Sequence, residues 1–154
     1  MRHPPAGYAV VMEPTLSDEI VPFFEAYARA RQDLDPAAGA ALWGTPGMIL
    51  TEDFAGALHT REQIAQALAG SAPAYRALGM TRVEFTLLDV SPVTASIVRV
   101  GVRWRFYAGE EHLVDVDHEY VLRRDPDGLH AYVALVRDEN DALAALAARK
   151  GLLP

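Results

Sequence analysis

The stretch IVRVGVRWRFYAGEEHLVDVDHEYVL, residues 97–122, decides the fold. Val98, Val100, Val102, Trp104 and Phe106 recur at every second position with Arg99, Arg103 and Arg105 between them, as side chains on the two faces of a half-buried strand must. A second run answers the first: Val114, Val116, His118, Tyr120 and Leu122 share one parity, and Asp115, Asp117 and Glu119 the other. Joined by an odd-length loop around Ala108, Gly109, Glu110 and Glu111, the runs form a hairpin that sets arginines beside carboxylates and Trp104 among valines. One face is then packed and the other solvated. His118 and Tyr120 fall in the packed register, where a polar group needs a partner or a ligand. The pair marks a candidate pocket.

Further strands flank this hairpin. Thr81 to Val90 reads as one, and Asp125, Pro126, Asp127 and Gly128 spell a tight turn before the last, Leu129 to Val136. On that last strand either His130 and Tyr132 or Ala131, Val133 and Leu135 can face inwards. Upstream, Met48 to Phe54 and Ala57 to His59 read as a strand and a short return strand about Gly56. The sheet is expected to be antiparallel. Before it come two helices. Ile20, Phe23, Phe24, Tyr27, Ala28 and Leu34 form an apolar stripe, and Pro22 places the start of the regular helix between Ser17 and Val21. Asp35 and Pro36 open a second, short helix through Leu42 and Trp43 that Gly44 and Pro46 end. Thr60 and Gln63 form a capping box for a third, with Ile64, Ala67, Leu68, Tyr75 and Leu78 on its apolar side and Pro73 interrupting it near Gly70 and Ser71. Asp138 caps a final alanine-rich helix that Gly151 stops.

A chain of 154 residues fits one domain, which buries roughly 70% of its unfolded surface. No linker divides it: residues 1–14 read as an arm, 15–137 as an α+β domain with helices on one face of a curved sheet, and 138–154 as a helix packed on that domain. Cysteine is absent, so disulfides, thiolate metal sites and a Cys nucleophile are excluded. A net charge of -7 disfavours nucleic acid and anionic lipid as partners. The only apolar run near the N-terminus, Tyr8 to Met12, is too short for a signal or a membrane span, and the expected location is cytoplasmic.

Several residues in this order of elements resemble the nuclear transport factor 2-like superfamily, which includes ketosteroid isomerase, scytalone dehydratase and the SnoaL-like polyketide cyclases. They are Phe24, Tyr27 and Ala28, then Asp35 to Trp43, the Gly56 to Ile64 turn and helix start with Thr60, Arg61 and Glu62, the strand ending in Arg103, Trp104 and Arg105, and Tyr120 to Arg124 before Asp127 and Gly128. The resemblance implies a cystatin-like, conical antiparallel sheet wrapped around a long N-terminal helix, an interior cavity with its mouth near the first two helices, and a homodimer. It specifies a scaffold more than an activity. Ketosteroid isomerase uses a strand-borne carboxylate and a Tyr plus a protonated Asp as oxyanion donors. Here Tyr27 sits on a comparable helix, but Asp115 and Asp117 point outwards by parity, which disfavours a copy of that mechanism.

Tyr27, Trp43, Trp104, His118, Tyr120 and Tyr132 are the candidate ligand-binding residues. His118, neutral when buried, is the candidate acid/base, and Tyr27 the candidate oxyanion donor. Each can equally fill a mixed core. No orienting group for the His118 ring is legible. His112, Asp115 and His118 are rejected as a metal triplet, because the odd spacing sends Asp115 to the face opposite both histidines. Asp115, Asp117 and Glu119 have arginine neighbours and are expected in exposed ion pairs. Neither a Gly-x-Ser-x-Gly elbow nor a phosphate-binding glycine pattern occurs, so no cofactor is expected. The leading expectation is a domain that binds a small, largely apolar molecule. The alternatives are a cofactor-independent lyase, isomerase or cyclase acting on a carbonyl substrate, and a pairing domain with a filled interior.

Overall fold

A computed structural model describes residues 16–152; the arm expected over residues 1–14 lies outside them. The elements run α1 (Leu16–Gln32), α2 (Pro36–Ala40), β1 (Trp43–Leu50), β2 (Ala55–Leu58), α3 (Arg61–Leu68), a 3-10 turn (Ala69–Ser71), α4 (Ala72–Ala77), β3 (Arg82–Pro92), β4 (Ile97–Ala108), β5 (Glu111–Asp125), β6 (Gly128–Val136) and α5 (Glu139–Arg149). The class is α+β. All the strands form one sheet in the order β2-β1-β6-β5-β4-β3. Its pairings are antiparallel except β1 with β6, which is parallel, so the sheet is mixed where an antiparallel one was expected.

The stripe on α1 packs into this sheet. Phe24 is fully buried and its ring meets Phe85, Trp104 and Tyr120 at centroid distances of 6.0, 6.1 and 5.4 Å. Regular helix begins at Leu16, one residue before the expected range of Ser17 to Val21, and Pro22 is accommodated inside it. The second helix stops at Ala40, and Trp43 opens β1 instead of closing α2. Asp35 caps α2 as expected, its Oδ1 accepting the Ala38 N–H. At α3, Thr60 Oγ1 accepts from Gln63 N, while Gln63 Oε1 reaches one residue further back than in an ordinary capping box, to His59 N. Ala69–Ser71 breaks the helix ahead of Pro73, as expected.

The β4–β5 hairpin arrives at its register by a different route from the expected loop. Gly109, at φ +59, and Glu110 make a two-residue turn between Ala108 and Glu111, and a bulge then separates the Tyr107↔His112 and Phe106↔Val114 pairs. Turn and bulge together shift the pairing by one residue, as a three-residue loop would. Trp104 therefore faces Val116, Arg103 faces Asp117 and Val102 faces His118. Without the bulge every later side chain of β5 would turn to the other face.

Candidate functional site

The packed face of β5 carries His118 (5% exposed), Tyr120 (1%) and Leu122 (0%). A second bulge on β6 decides what stands beside them. Leu122 pairs with Ala131 but Val121 pairs with Val133, so Tyr132 is the extra residue and the parity of β6 inverts there. Ala131, Ala134 and Val136 then accompany Leu122, Tyr120 and His118 on the inner face. Neither simple alternation anticipated for this strand holds along its whole length.

Between this face and the helices lies a cavity of about 470 Å³ that extends to the α1–α2 connection. Four of the six candidate ligand residues line it: Tyr27, Trp43, His118 and Tyr120. Trp104 stands one layer behind, fully buried, its indole N–H donating to Tyr120 Oη at 3.0 Å. Tyr132 lies elsewhere, against Gly44 of β1, with its hydroxyl donating to Asp125 at 2.6 Å and accepting from Arg123. Those two residues are corrected from cavity wall to support.

One end of the cavity is a hydrogen-bonded cluster. Glu139, the first residue of α5 and 6% exposed, accepts from Arg31 at 3.1 Å, from Tyr75 Oη at 3.0 Å and from His118 Nε2 at 2.7 Å. Burial pushes its carboxyl up, but the Arg31 guanidinium and the His118 hydrogen bond outweigh that and hold it well below the usual carboxylate range. An ionised Glu139 can only accept, so Nε2 carries a proton. Burial lowers the imidazole's pKa against the opposing pull of Glu139, which leaves the ring neutral and Nδ1 an acceptor for the Tyr120 hydroxyl at 2.9 Å. Polarity thus runs one way, from Trp104 to Tyr120 to His118 to Glu139. Tyr27 Oη accepts from Trp43 Nε1 at 3.1 Å and keeps its own proton at the wall. Among the described residues no fully enclosed side-chain nitrogen or oxygen lacks a partner.

Arg31, Tyr75 and Glu139 were not legible as site residues. Tyr75 sits at an apolar helical position, Arg31 in the last turn of α1 and Glu139 in the first turn of α5, where a base and an acid are ordinary complements of the helix dipole. Asp138, expected to cap α5, makes no side-chain capping bond.

The outer face is a mosaic of charge. Arg103 forms two bonds to Asp117 at 2.9 and 3.0 Å, and Arg137 reaches Glu119. His112 Nε2 lies 2.6 Å from Asp115, because the β5 bulge turns His112 to that face. The rejected triplet is thus split between His118 inside and the other two outside, not as parity had placed it. Asp125, Asp127 and His130 have metal-ligand spacing at the β5–β6 turn. There Asp125 already takes Arg123, His130 and Tyr132, as the buckle of a turn does. No helix among the described residues is long and apolar enough to cross a membrane.

A family model described as NTF2-like protein (DUF6841) matches residues 18–139. No curated protein matches the chain. Among solved structures, an NTF-2 like protein of unknown function from Shewanella oneidensis is similar at TM-score 0.64 and 14% identity, over 79% of this chain and 98% of that one. A domain of unknown function with a cystatin-like fold from Nostoc punctiforme gives TM-score 0.63 and 19% identity, over 89% and 93%. A ketosteroid isomerase-like protein from Erwinia carotovora atroseptica gives 0.57 and 13%, over 77% and 92%. Likeness at such identities speaks for the fold alone. On the family match, which spans α1 to the start of α5, this chain belongs to the NTF2-like proteins of DUF6841.

Proposed function

We propose that this protein binds a small, largely apolar molecule in the cavity between α1 and the sheet. The observation that carries the reading is a hollow of about 470 Å³ with aromatic walls and a self-satisfied polar end. Ligand sites are concave, mostly apolar and furnished with a few fixed polar groups, within roughly 300–1,000 Å³. Tyr27, Trp43, Tyr75, Phe106 and Tyr120 supply flat apolar surface. The Tyr27 hydroxyl, which accepts from Trp43 and is hydrogen-bonded with Tyr120, adds a polar point to that wall.

Blocking the cavity tests this. Gly70 lines its exposed rim, and a Cβ there would meet nothing within 4 Å, so Gly70→Trp adds bulk at the rim without a clash at its Cβ. Mass spectrometry of small molecules extracted from the purified protein should find a compound with the parent that is missing from the variant. An empty parent, together with no thermal stabilisation by a panel of apolar compounds, would refute the reading.

One observation favours a second reading, a cofactor-independent lyase, isomerase or cyclase. A carboxylate orients the His118 ring, and a buried neutral imidazole is the form that takes a proton. Both ring nitrogens are engaged, so a substrate would have to displace the Tyr120 hydroxyl from Nδ1 or exchange protons through it. On a carbonyl substrate, His118→Gln should abolish turnover if the imidazole moves the proton, and only alter affinity if it is wall.

A further inference from the structure

The polar end of the cavity satisfies itself at every enclosed atom, and one group in it still has hydrogen bonds to give. Both ring nitrogens of His118 are engaged, by Tyr120 and by Glu139. Tyr75 spends its proton on Glu139, and Tyr120 takes the Trp104 indole N–H. Arg31 is different. Its Nη2 donates to both oxygens of Glu139, at 3.1 and 3.4 Å, and among the described residues its Nε and Nη1 form no hydrogen bond. Every enclosed side-chain nitrogen among those residues has a partner, so Nε and Nη1 are open to space, and Arg31 lines the cavity. The rest of the guanidinium is fixed. Its centre lies 5.1 Å from the Trp104 ring and 5.0 Å from the Phe106 ring, and Glu139 holds one edge. A planar fork held against two rings and by one edge is already oriented for whatever meets its other edge.

Resting on the binding proposed above, we infer that Arg31 is the anchor for the ligand's polar atom: the open edge of its guanidinium takes an uncharged acceptor oxygen, the carbonyl of a ketone, aldehyde or ester, on an otherwise apolar body. Guanidinium N–H groups only donate, so the atom they meet must accept. A carboxylate also accepts, but here it would lose its water beside the ionised Glu139, which already balances the charge of Arg31. A carbonyl has no charge to desolvate. A hydrocarbon strips the N–H groups of water and returns no acceptor.

Three probes of one shape separate the outcomes: 2-acetylnaphthalene, 2-isopropenylnaphthalene, in which a methylene replaces the carbonyl oxygen, and 2-naphthoate. Equilibrium dialysis against the full chain near neutral pH gives their affinities. The ketone should bind about tenfold tighter than the alkene, the return of one hydrogen bond to a charged donor, and also tighter than the carboxylate. Arg31→Met/Glu139→Gln removes both charges together and so leaves neither buried alone. In that double variant the ketone's advantage over the alkene should vanish while the alkene binds as before. For a readout that needs no variant, the carbonyl carbon of isotopically labelled ketone should resonate downfield of its position in hexane when bound to the parent. An unchanged ketone-to-alkene ratio in the double variant, or a bound carbonyl at its hexane position, overturns the anchor and leaves the cavity reading standing. A carboxylate that binds tighter than the ketone overturns the preference for an uncharged head. Failure of all three probes to bind removes the cavity as a site for apolar molecules of this size, and the anchor with it.

Discussion

Replacing Glu139 by alanine leaves the Arg31 guanidinium buried without its counter-charge and strips Tyr75 and His118 of their acceptor. Breaking a buried pair from one side costs about 3–5 kcal/mol, and urea unfolding of Glu139→Ala should show a loss of that size. His118 makes a separate claim on pH. Its folded pKa lies below the ordinary 6.5 because burial opposes the imidazolium more than Glu139 supports it. A group with a depressed folded pKa contributes stability above its unfolded value and gives it up as pH falls through the folded one. Thermal midpoints should therefore drop on acidification below about 6.5, and His118→Gln should flatten that slope. A pH-independent midpoint in the parent over this window would contradict a neutral His118. The imidazole's place could be read from alternation alone. Its partners could not, since hydrogen bonds between residues 21 and 108 positions apart leave no periodic trace in either segment.

Elements followed from pattern wherever one rule acted at a time, and departed from it where backbone irregularity entered. Alternation placed Val98 to Phe106 correctly because β4 is regular there and every inner residue is buried. The inward set of β6, left open between His130 and Tyr132 or Ala131, Val133 and Leu135, could not be chosen because the extra residue at Tyr132 inverts parity within the strand, and Trp43 was misplaced because cap and proline rules see no tertiary pairing, which draws it into β1 opposite Ala131. The consequence at β1 is measurable. A Cβ on Gly44 would lie 2.2 Å from the Tyr132 ring, which Asp125 and Arg123 hold in place. Gly44→Ala should therefore cost about 1–3 kcal/mol, the usual range for overpacking. Because the strain lies in one pair, adding Tyr132→Ala should recover part of it, and a double-mutant cycle that shows no coupling would mean the glycine serves some other purpose.

At the scale of the molecule, the inner end of the cavity is closed by segments from both ends of the described chain. Arg31 comes from α1 and Glu139 from α5, with Tyr75 and His118 from the middle. Beyond packing on the domain, α5 brings the carboxylate on which the polar cluster converges. It also buries Leu143 and Leu146, at 5% and 6% exposure. Each leucine contributes about 1.5–3 kcal/mol by burial, and losing the Glu139 partner adds about 3–5 kcal/mol. That sum is comparable with the whole stability of an ordinary domain, roughly 5–15 kcal/mol. A chain ending at Arg137 should accordingly lose its cooperative thermal transition, whereas one ending at Arg149 should keep it with a midpoint close to that of the parent. Among the described residues the latter forgoes the half-exposed Lys150–Glu111 pair and the three backbone hydrogen bonds that Lys150, Gly151 and Leu152 donate to the last turns of α5, and such exposed pairs add at most about 1 kcal/mol. Circular dichroism melting of the two truncations decides the matter: a cooperative transition in the shorter chain would show that the sheet and α1 close the domain without α5.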